Sequence, residues 1–278
     1  MNFREIACAH LSRYKESSLA GTGDGYFHYR GRDVPKAHIL PISQQELNIL
    51  EPYRESFWKS QYSCIKLHRY FHHLNSSQAL CINLYYPLIA EGVLPRLLQF
   101  LGLPATGDLS PAFEKESELE VAKRLTSFDF HIQLTDSCQV FFEVKYTEGG
   151  FGKAKNDEAH RKKFIDTYEP LMRESPFLAP ECHDQTFFLE HYQILRNLVH
   201  IGDSSYVVLL FPGANSEVAE EAAYARDHLL TDAGRARLRV VFLEELTAFL
   251  EKQSTIGPLG GYFELFRTKY LPATHHHG

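Results

Sequence analysis

The sequence lacks the cysteine pattern of a disulfide-bonded or zinc-ribbon protein. Its five cysteines are scattered and odd in number, and no CxxC pair occurs. Long apolar runs are also absent, since the segment 79–90 is interrupted and the run 206–211 is short, whereas a membrane-spanning helix needs about 20 apolar residues. Arg4 and Glu5 stand where a signal peptide would need a continuous apolar stretch. We therefore expect a cytoplasmic protein with no membrane partner.

A basic excess and several common catalytic motifs are missing as well. The 29 Lys and Arg residues against 35 Asp and Glu residues give a formal net charge of −6. This excludes a uniformly basic nucleic-acid coat but leaves room for a local basic groove. No GxSxG elbow occurs, and the glycine cluster at 21–25 lacks the Lys-Ser/Thr ending of a phosphate-binding loop.

What the chain does contain is the composition of a folded globular protein. Hydrophobic residues make up 44% of the sequence and charged residues 23%, which excludes disorder as the main state. The pattern separates a helical and loop-rich N-terminal extension, residues 1–74, from a core domain, residues 75–278. Within the core, the apolar runs 206–211 and 239–243 are typical of strands buried on both faces. The helical pattern at 216–230 lies between them and predicts a parallel crossover.

The most informative segment predicts a β-hairpin. Residues 127–134 alternate between apolar and polar side chains, and residues 139–146 alternate in the same way. Thr135-Asp136-Ser137 between them supplies residues that favour a turn. Pairing Leu134 with Cys138 across this turn fixes the register of the two strands.

This register brings together three charged residues. Asp129 falls opposite Glu143, and Lys145 follows two residues further on the same face. Phe130 then meets Phe142 on the buried face, which supports the register. Two carboxylates directly opposite each other destabilise a hairpin, unless a divalent cation lies between them. Mg²⁺ commonly binds one or two carboxylates together with substrate phosphate and water, and Lys145 would lie beside the bound water. The alternative is a polar hairpin face that simply meets solvent.

These residues carry a resemblance to a known family. Asp129, followed after 13 residues by Glu143-Val144-Lys145, resembles the D…(D/E)xK signature of the PD-(D/E)xK nuclease superfamily. Ser127-Phe128 stands where that signature usually has a proline. The longer string FEVKYTE at 142–148, with SFDF at 127–130, is similar to a poorly characterised bacterial group of restriction-endonuclease-like proteins.

The resemblance, over about residues 70–250, implies both a fold and an activity. The fold would be α/β, a restriction-endonuclease-like mixed sheet sandwiched by helices. The activity would be Mg²⁺-dependent hydrolysis of nucleic-acid phosphodiester bonds, with DNA as the expected substrate and Mn²⁺ able to replace Mg²⁺. Asp129, Glu143 and the Val144 carbonyl would hold the metal, and Lys145 would assist the attacking water. Members often add an upstream acidic residue, for which the sequence offers Glu116, Glu118 and Glu120; Glu120 is favoured.

Two further groups of residues are expected to contact nucleic acid. The first is the basic stretch directly after the catalytic strand, which includes Lys153, Lys155, Arg161 and Lys162; phosphate neutralisation supplies most of the affinity in such contacts. The second is the polar side of a helix predicted at 186–200, with Gln193, Arg196 and Asn197. A solvated surface would account for either group.

Several alternatives remain open at this level. The chain could keep the fold without cutting and act as a nucleic-acid-binding or assembly protein. A retaining glycosidase could use Asp129 and Glu143 as its carboxylate pair, although Lys145 beside them and the single tryptophan, Trp58, count against it. His68 and His72 are one helical turn apart, as zinc ligands would be, but their segment fits a buried or nucleic-acid-facing helix better. A homodimer is neither required nor excluded.

Overall fold

The computed structural model describes residues 2–105, 107–120, 125–134, 138–253 and 259–272. They form two compact units: Met1–Leu103 with Leu243–Gly278, and Pro104–Phe242. The domain boundary that the sequence predicts at residue 74 does not coincide with this division, and it stays a prediction. The turn predicted at 135–137 lies outside the described residues.

A five-stranded mixed sheet forms the centre of the unit Pro104–Phe242. Its strands are consecutive in space and are β3 (Ser110–Glu116), β4 (Ser127–Gln133), β5 (Gln139–Val144), β6 (Ser205–Phe211) and β7 (Leu238–Phe242). Strands β3, β4 and β5 pair antiparallel, while β5, β6 and β7 pair parallel. The sheet is flanked by helices. This architecture confirms the predicted α/β fold class with a mixed sheet.

The β4–β5 hairpin has the predicted register over four pairs, from Gln133–Gln139 to Phe130–Phe142. The ladder ends at Phe130, so the predicted pair of Asp129 with Glu143 is not part of it. Phe130 pairs with Phe142, and their ring centroids lie 5.4 Å apart. The Leu134 amide donates a hydrogen bond to the Cys138 carbonyl at 2.8 Å. A slip of one residue would turn every apolar side chain of one strand to the wrong face, so the alternation in sequence is sufficient to specify this pairing.

Both faces of the sheet are buried. This explains why Phe141, an apolar residue, lies on the same face of β5 as Glu143. Phe128, which strict alternation would place with Phe130, packs instead against Phe141, with the two ring centroids 4.7 Å apart; the alternation is broken here because the ladder with β5 ends at Phe130. Phe128 and Phe141 belong to an apolar core that includes residues of the helices following β5 and β6. Phe130 and Phe142 are fully buried on the opposite face.

Six α-helices belong to the described residues of this unit. They are α5 (Glu158–Lys163), α6 (Glu169–Glu174), α7 (Gln185–Glu190), α8 (Tyr192–Leu198), α9 (Ser216–Tyr224) and α10 (Asp232–Arg235). The helix predicted at 186–200 is therefore two helices, because His191 has φ −112° and ψ 30° and interrupts the first. Helix α9 and the turns after it connect β6 to β7, which confirms the predicted parallel crossover.

The other unit, described by itself, is mostly helical. It contains α1 (Phe3–Ser18), the hairpin strands β1 (Gly25–Tyr29) and β2 (Arg32–Lys36), α2 (Glu51–Lys59), α3 (Ser77–Ala90), α4 (Leu94–Phe100), α11 (Leu243–Gln253) and α12 (Tyr262–Tyr270). Helix α3 begins after Ser76, whose side-chain oxygen accepts a hydrogen bond from the Ala79 amide and caps the helix. Among the described residues, none of the helices combines the length and apolar character needed to cross a bilayer.

Candidate active site

The centre of the site is a buried ion pair at the end of β5. The Lys145 Nζ donates to Glu143 Oε1 at 2.6 Å, and both side chains are less than a tenth exposed. Gln193 Nε2, from α8, donates to the same Glu143 oxygen at 3.0 Å. The structure therefore unites three of the residues that the sequence predicts for catalysis and nucleic-acid binding. Two donors on one oxygen fix the orientation of the Glu143 carboxylate.

Asp129 joins this centre from the neighbouring strand. Its Oδ2 accepts a hydrogen bond from the Val144 amide at 2.7 Å, just beyond the last ladder pair, Phe130 with Phe142. The N–H and C=O of one strand residue point to the same side of the strand. The Val144 carbonyl is consequently directed toward the side on which Asp129 lies, as a metal ligand of the predicted set requires.

A local break in β3 lies next to Asp129. Phe113 pairs with Phe130 and Lys115 with Phe128, but Glu114 between them has φ 52° in the left-handed region. This conformation costs a non-glycine residue free energy and is concentrated at functional sites. Glu114 is also one of the charged neighbours that raise the pKa of Asp129. Sequence reasoning missed Glu114, because its position in an alternating strand looks ordinary.

The electrostatics of the centre disfavour a second negative charge. Burial raises the pKa of Asp129 well above its usual range, and the charge of Glu143 raises it further. Burial by itself would lower the pKa of Lys145, but the carboxylates of Glu143, Glu148 and Asp129 outweigh it and raise that pKa. Lys145 is therefore a permanent ammonium group that donates hydrogen bonds and is not a base.

The donor set fits a hard divalent cation bound with water and phosphate. Among the described residues there is no group of three His, Cys, Asp or Glu side chains that could hold a metal ion. The two carboxylates and the Val144 carbonyl match Mg²⁺, which typically takes one or two carboxylates and completes its shell with water and phosphate oxygens. A cation would also offset the repulsion that raises the pKa of Asp129.

The loop after β5 is held by hydrogen bonds with helix α9 and with Asn215, the residue that precedes this helix. Asn215 Nδ2 donates to the carbonyls of Tyr146 and Glu148, each at 3.0 Å. Glu221 accepts the Phe151 amide at 2.8 Å. The Phe151 ring in turn lies 5.6 Å from Lys145 Nζ. These contacts fix the backbone of the loop and, with it, the position of the Phe151 ring beside Lys145.

The upstream glutamates lie in different environments. Glu116 is exposed, and Glu118 pairs with Lys115 at 2.5 Å with its side chain mostly in solvent. Glu120 is buried: its carboxylate accepts from the amide and hydroxyl of Thr126. The same carboxylate lies 3.7 Å from Lys163 Nζ and 3.8 Å from an Arg196 nitrogen. These contacts favour a structural role for Glu120, and its role at the metal stays a prediction.

Replacing Glu120 with alanine distinguishes the two roles. We expect a destabilisation of about 2 kcal/mol, because the amide and hydroxyl of Thr126 lose a buried hydrogen-bond acceptor. The melting temperature should fall by roughly 5 °C, and the folded variant should keep any metal-dependent activity that the wild type has. The matched control is Glu118→Ala, which removes an exposed carboxylate and should leave the melting temperature unchanged. An unchanged melting temperature together with lost cleavage would place Glu120 in the catalytic set instead.

The predicted basic residues fall into two groups. Lys153, Lys155, Arg161 and Lys162 are exposed on the segment that follows β5, although Lys162 also pairs with Asp166 at 3.0 Å. Arg196 is less exposed, and its Nε donates to the Tyr168 hydroxyl at 2.6 Å. The first group is accessible to a phosphate backbone, and contact with nucleic acid stays a prediction for both.

One comparison with known proteins assigns the chain to a family. Residues 8–271 match the family described as Restriction Endonuclease associating with ARP. No curated protein and no solved structure matches the chain.

Proposed function

The chain belongs to the family of restriction endonucleases associating with ARP, and we propose from this premise that it is a Mg²⁺-dependent nuclease that hydrolyses phosphodiester bonds of DNA. Membership confirms the resemblance to restriction-endonuclease-like proteins, a class that suggests a hydrolytic nuclease acting on nucleic acid. The observation that carries the finer proposal is the buried Lys145–Glu143 pair beside Asp129. A chain selected only for stability would gain by avoiding such a cluster.

Asp129, Glu143 and the Val144 carbonyl would hold Mg²⁺, and Mn²⁺ would be able to replace it. When bound, such an ion lowers the pKa of its water and stabilises charge on the scissile phosphate. Asp129 and Glu143 project from adjacent strands of one sheet, so the metal ligands are held by rigid elements. This support favours the precise geometry that catalysis needs.

Lys145 is proposed to stabilise developing charge and to orient the attacking water. Its ammonium group is held by Glu143, and its raised pKa keeps it charged. A fixed cation aimed at the reacting phosphate costs no reorganisation when the charge develops. Gln193 donates to the same oxygen of Glu143 and is a positioning residue.

Substrate affinity is proposed to come from the exposed cations after β5. Lys153, Lys155, Arg161 and Lys162 lie on the segment that leads away from the site. Each phosphate that they neutralise releases counterions, and binding should accordingly weaken steeply with salt.

The second candidate is an assembly role without cleavage. The family description names an association with ARP, and we extend that association to this chain as part of the proposal. A chain that serves only as a partner would bind nucleic acid or ARP and leave phosphodiester bonds intact.

A cleavage assay separates the two candidates. Wild-type protein incubated with supercoiled plasmid or single-stranded DNA should produce nicked, linear or shortened products with Mg²⁺ or Mn²⁺, and none with EDTA. A parallel reaction with RNA tests the expected preference for DNA. DNA that stays intact with both ions, under conditions in which the protein binds it, would favour the assembly role.

A further inference from the structure

A row of aromatic rings lies on the β1–β2 hairpin and the segment that packs against it. The row consists of Tyr29, Phe27, Tyr70 and His68. Successive ring centroids are 6.3 Å, 6.2 Å and 5.5 Å apart. All four residues belong to the same compact unit, and the row is distant in sequence from β5.

Both ends of the row are exposed to solvent. Tyr29 is 53% exposed, and His68 is also exposed, while Phe27 and Tyr70 are half-buried. The hairpin is anchored at the start of β1, where the Gly25 amide donates a hydrogen bond to the Ile39 carbonyl at 2.8 Å. A side chain at Gly25 would collide with the Leu40 carbonyl, so glycine permits the close approach that holds the hairpin in place.

The surface around the row is positively charged, unlike the chain as a whole. Segments 25–38 and 66–73 contain five cations and one carboxylate, a formal charge of +4 in a chain of net charge −6. The cations are Arg30, Arg32, Lys36, Lys66 and Arg69. Two guanidinium groups cover rings of the row: Arg30 lies 5.1 Å from the Tyr29 centroid and Arg69 lies 4.6 Å from the Tyr70 centroid.

The one carboxylate of these two segments, Asp33, is on the other side of the hairpin; Asp24, just before the hairpin, is paired with Lys15. Asp33 pairs with His28 at 2.9 Å, and the two are partners in the strand register. Side chains alternate along a strand, so His28 and Asp33 face away from Phe27 and Tyr29. Burial lowers the pKa of His38 to about 4, with smaller contributions from nearby cations such as Lys36 that the charge of Asp24 partly opposes.

We propose that the aromatic row is a second binding site, which takes single-stranded DNA by stacking unpaired bases on its rings. Rows of accessible rings with flanking cations bind single strands regardless of sequence, because every base has a π-face and every nucleotide a phosphate. The bases of a duplex are already stacked and cannot use such a row. The inference extends the proposed function by assigning a site that holds an unpaired strand of the substrate.

Direct binding tests the site without any need for cleavage. The full-length protein is titrated against a fluorescently labelled oligodeoxythymidylate in EDTA, and the anisotropy is followed. Tyr29→Ala should weaken binding by about tenfold or more, the value of one base–aromatic stack. Tyr26→Ala is the matched control, because Tyr26 is equally exposed at 58% on the same strand but faces the opposite side. It should bind as the wild type does.

A second variant tests the charge that accompanies the rings. Arg32 is exposed and lies opposite Tyr29 in the strand register. Arg32→Ala should reduce the slope of log affinity against log salt by about 0.7, as expected for one phosphate contact on a single strand. Circular dichroism and the melting temperature confirm that both variants are folded.

Three results would overturn the inference: no binding of oligodeoxythymidylate, equal affinities for Tyr29→Ala and Tyr26→Ala, or tighter Tyr29-dependent binding of a duplex or of oligouridylate. These failures are distinct from failure of the nuclease proposal. If the wild type binds oligodeoxythymidylate through Tyr29 but does not cleave DNA, only the proposed function is contradicted. If the wild type cleaves DNA and Tyr29→Ala binds as tightly as the wild type, only this inference is contradicted.

Discussion

Replacing Lys145 with alanine should lower the rate of Mg²⁺-dependent DNA cleavage by roughly 100- to 1,000-fold, the usual cost of one preorganised charge-stabilising group. The side chain touches Glu143 directly and is almost completely buried, so solvent cannot take its place. DNA affinity and metal binding should be largely retained, because Asp129, Glu143 and the exposed cations are unchanged.

The control for Lys145 is Lys153→Ala, which removes a lysine eight residues further along that is exposed to solvent. This variant should bind DNA more weakly, with a salt slope reduced by about 0.9 on duplex DNA, and should cut at a normal rate once saturated. Cleavage by Lys145→Ala at the wild-type rate would show that the mechanism is wrong.

Replacing Asp129 with asparagine should abolish cleavage yet stabilise the metal-free protein near neutral pH. Burial raises the pKa of Asp129 and the charge of Glu143 raises it further, so the folded state holds this proton more tightly than the unfolded state does. The carboxyl therefore contributes most to stability below its unfolded pKa, and this contribution is lost as the pH rises through the folded pKa. Asparagine is neutral throughout, and its oxygen can still accept the Val144 amide.

Thermal unfolding in EDTA at a series of pH values measures this effect. The melting temperature of Asp129→Asn should exceed that of the wild type at pH 8, and the difference should shrink toward about pH 4, the unfolded pKa of aspartate. Each unit by which the pKa is raised corresponds to about 1.4 kcal/mol. Asp203→Asn, which alters an exposed aspartate, should show no such difference. Equal melting temperatures for Asp129→Asn and the wild type would contradict the electrostatic description of the site.

The hairpin and its charged residues could be predicted because their information is local. Alternation over residues 127–134 and 139–146, with a short connection, leaves one register that buries Phe130 against Phe142. Continued past Phe130, that register predicts Asp129, Glu143 and Lys145 close together; in the structure the ladder ends at Phe130, and Asp129 accepts the Val144 amide instead of facing Glu143 in a ladder pair. Gln193 could be predicted less directly, from its position on the polar side of a helix, and it contacts Glu143.

The supporting residues could not be predicted, because their partners are remote in sequence. Asn215 and Glu221 hold the loop after β5 from about 70 residues away, and no local pattern marks them. Glu120 looks the same as Glu116 and Glu118 in the sequence, yet only its side chain folds inward against Thr126. The left-handed conformation of Glu114 depends on tertiary packing and not on its residue type.

The most direct test of the central claim is calorimetric titration of Mg²⁺, and then Mn²⁺, into the wild type and Glu143→Gln. The exchange keeps the shape of the side chain and its contact with Gln193 while removing one negative charge from the proposed ligands. We predict saturable binding to the wild type, lost in Glu143→Gln along with metal-dependent cleavage of plasmid DNA. Equal binding to the two proteins, or no binding and no cleavage by the wild type, would contradict a metal-dependent nuclease site at Asp129 and Glu143.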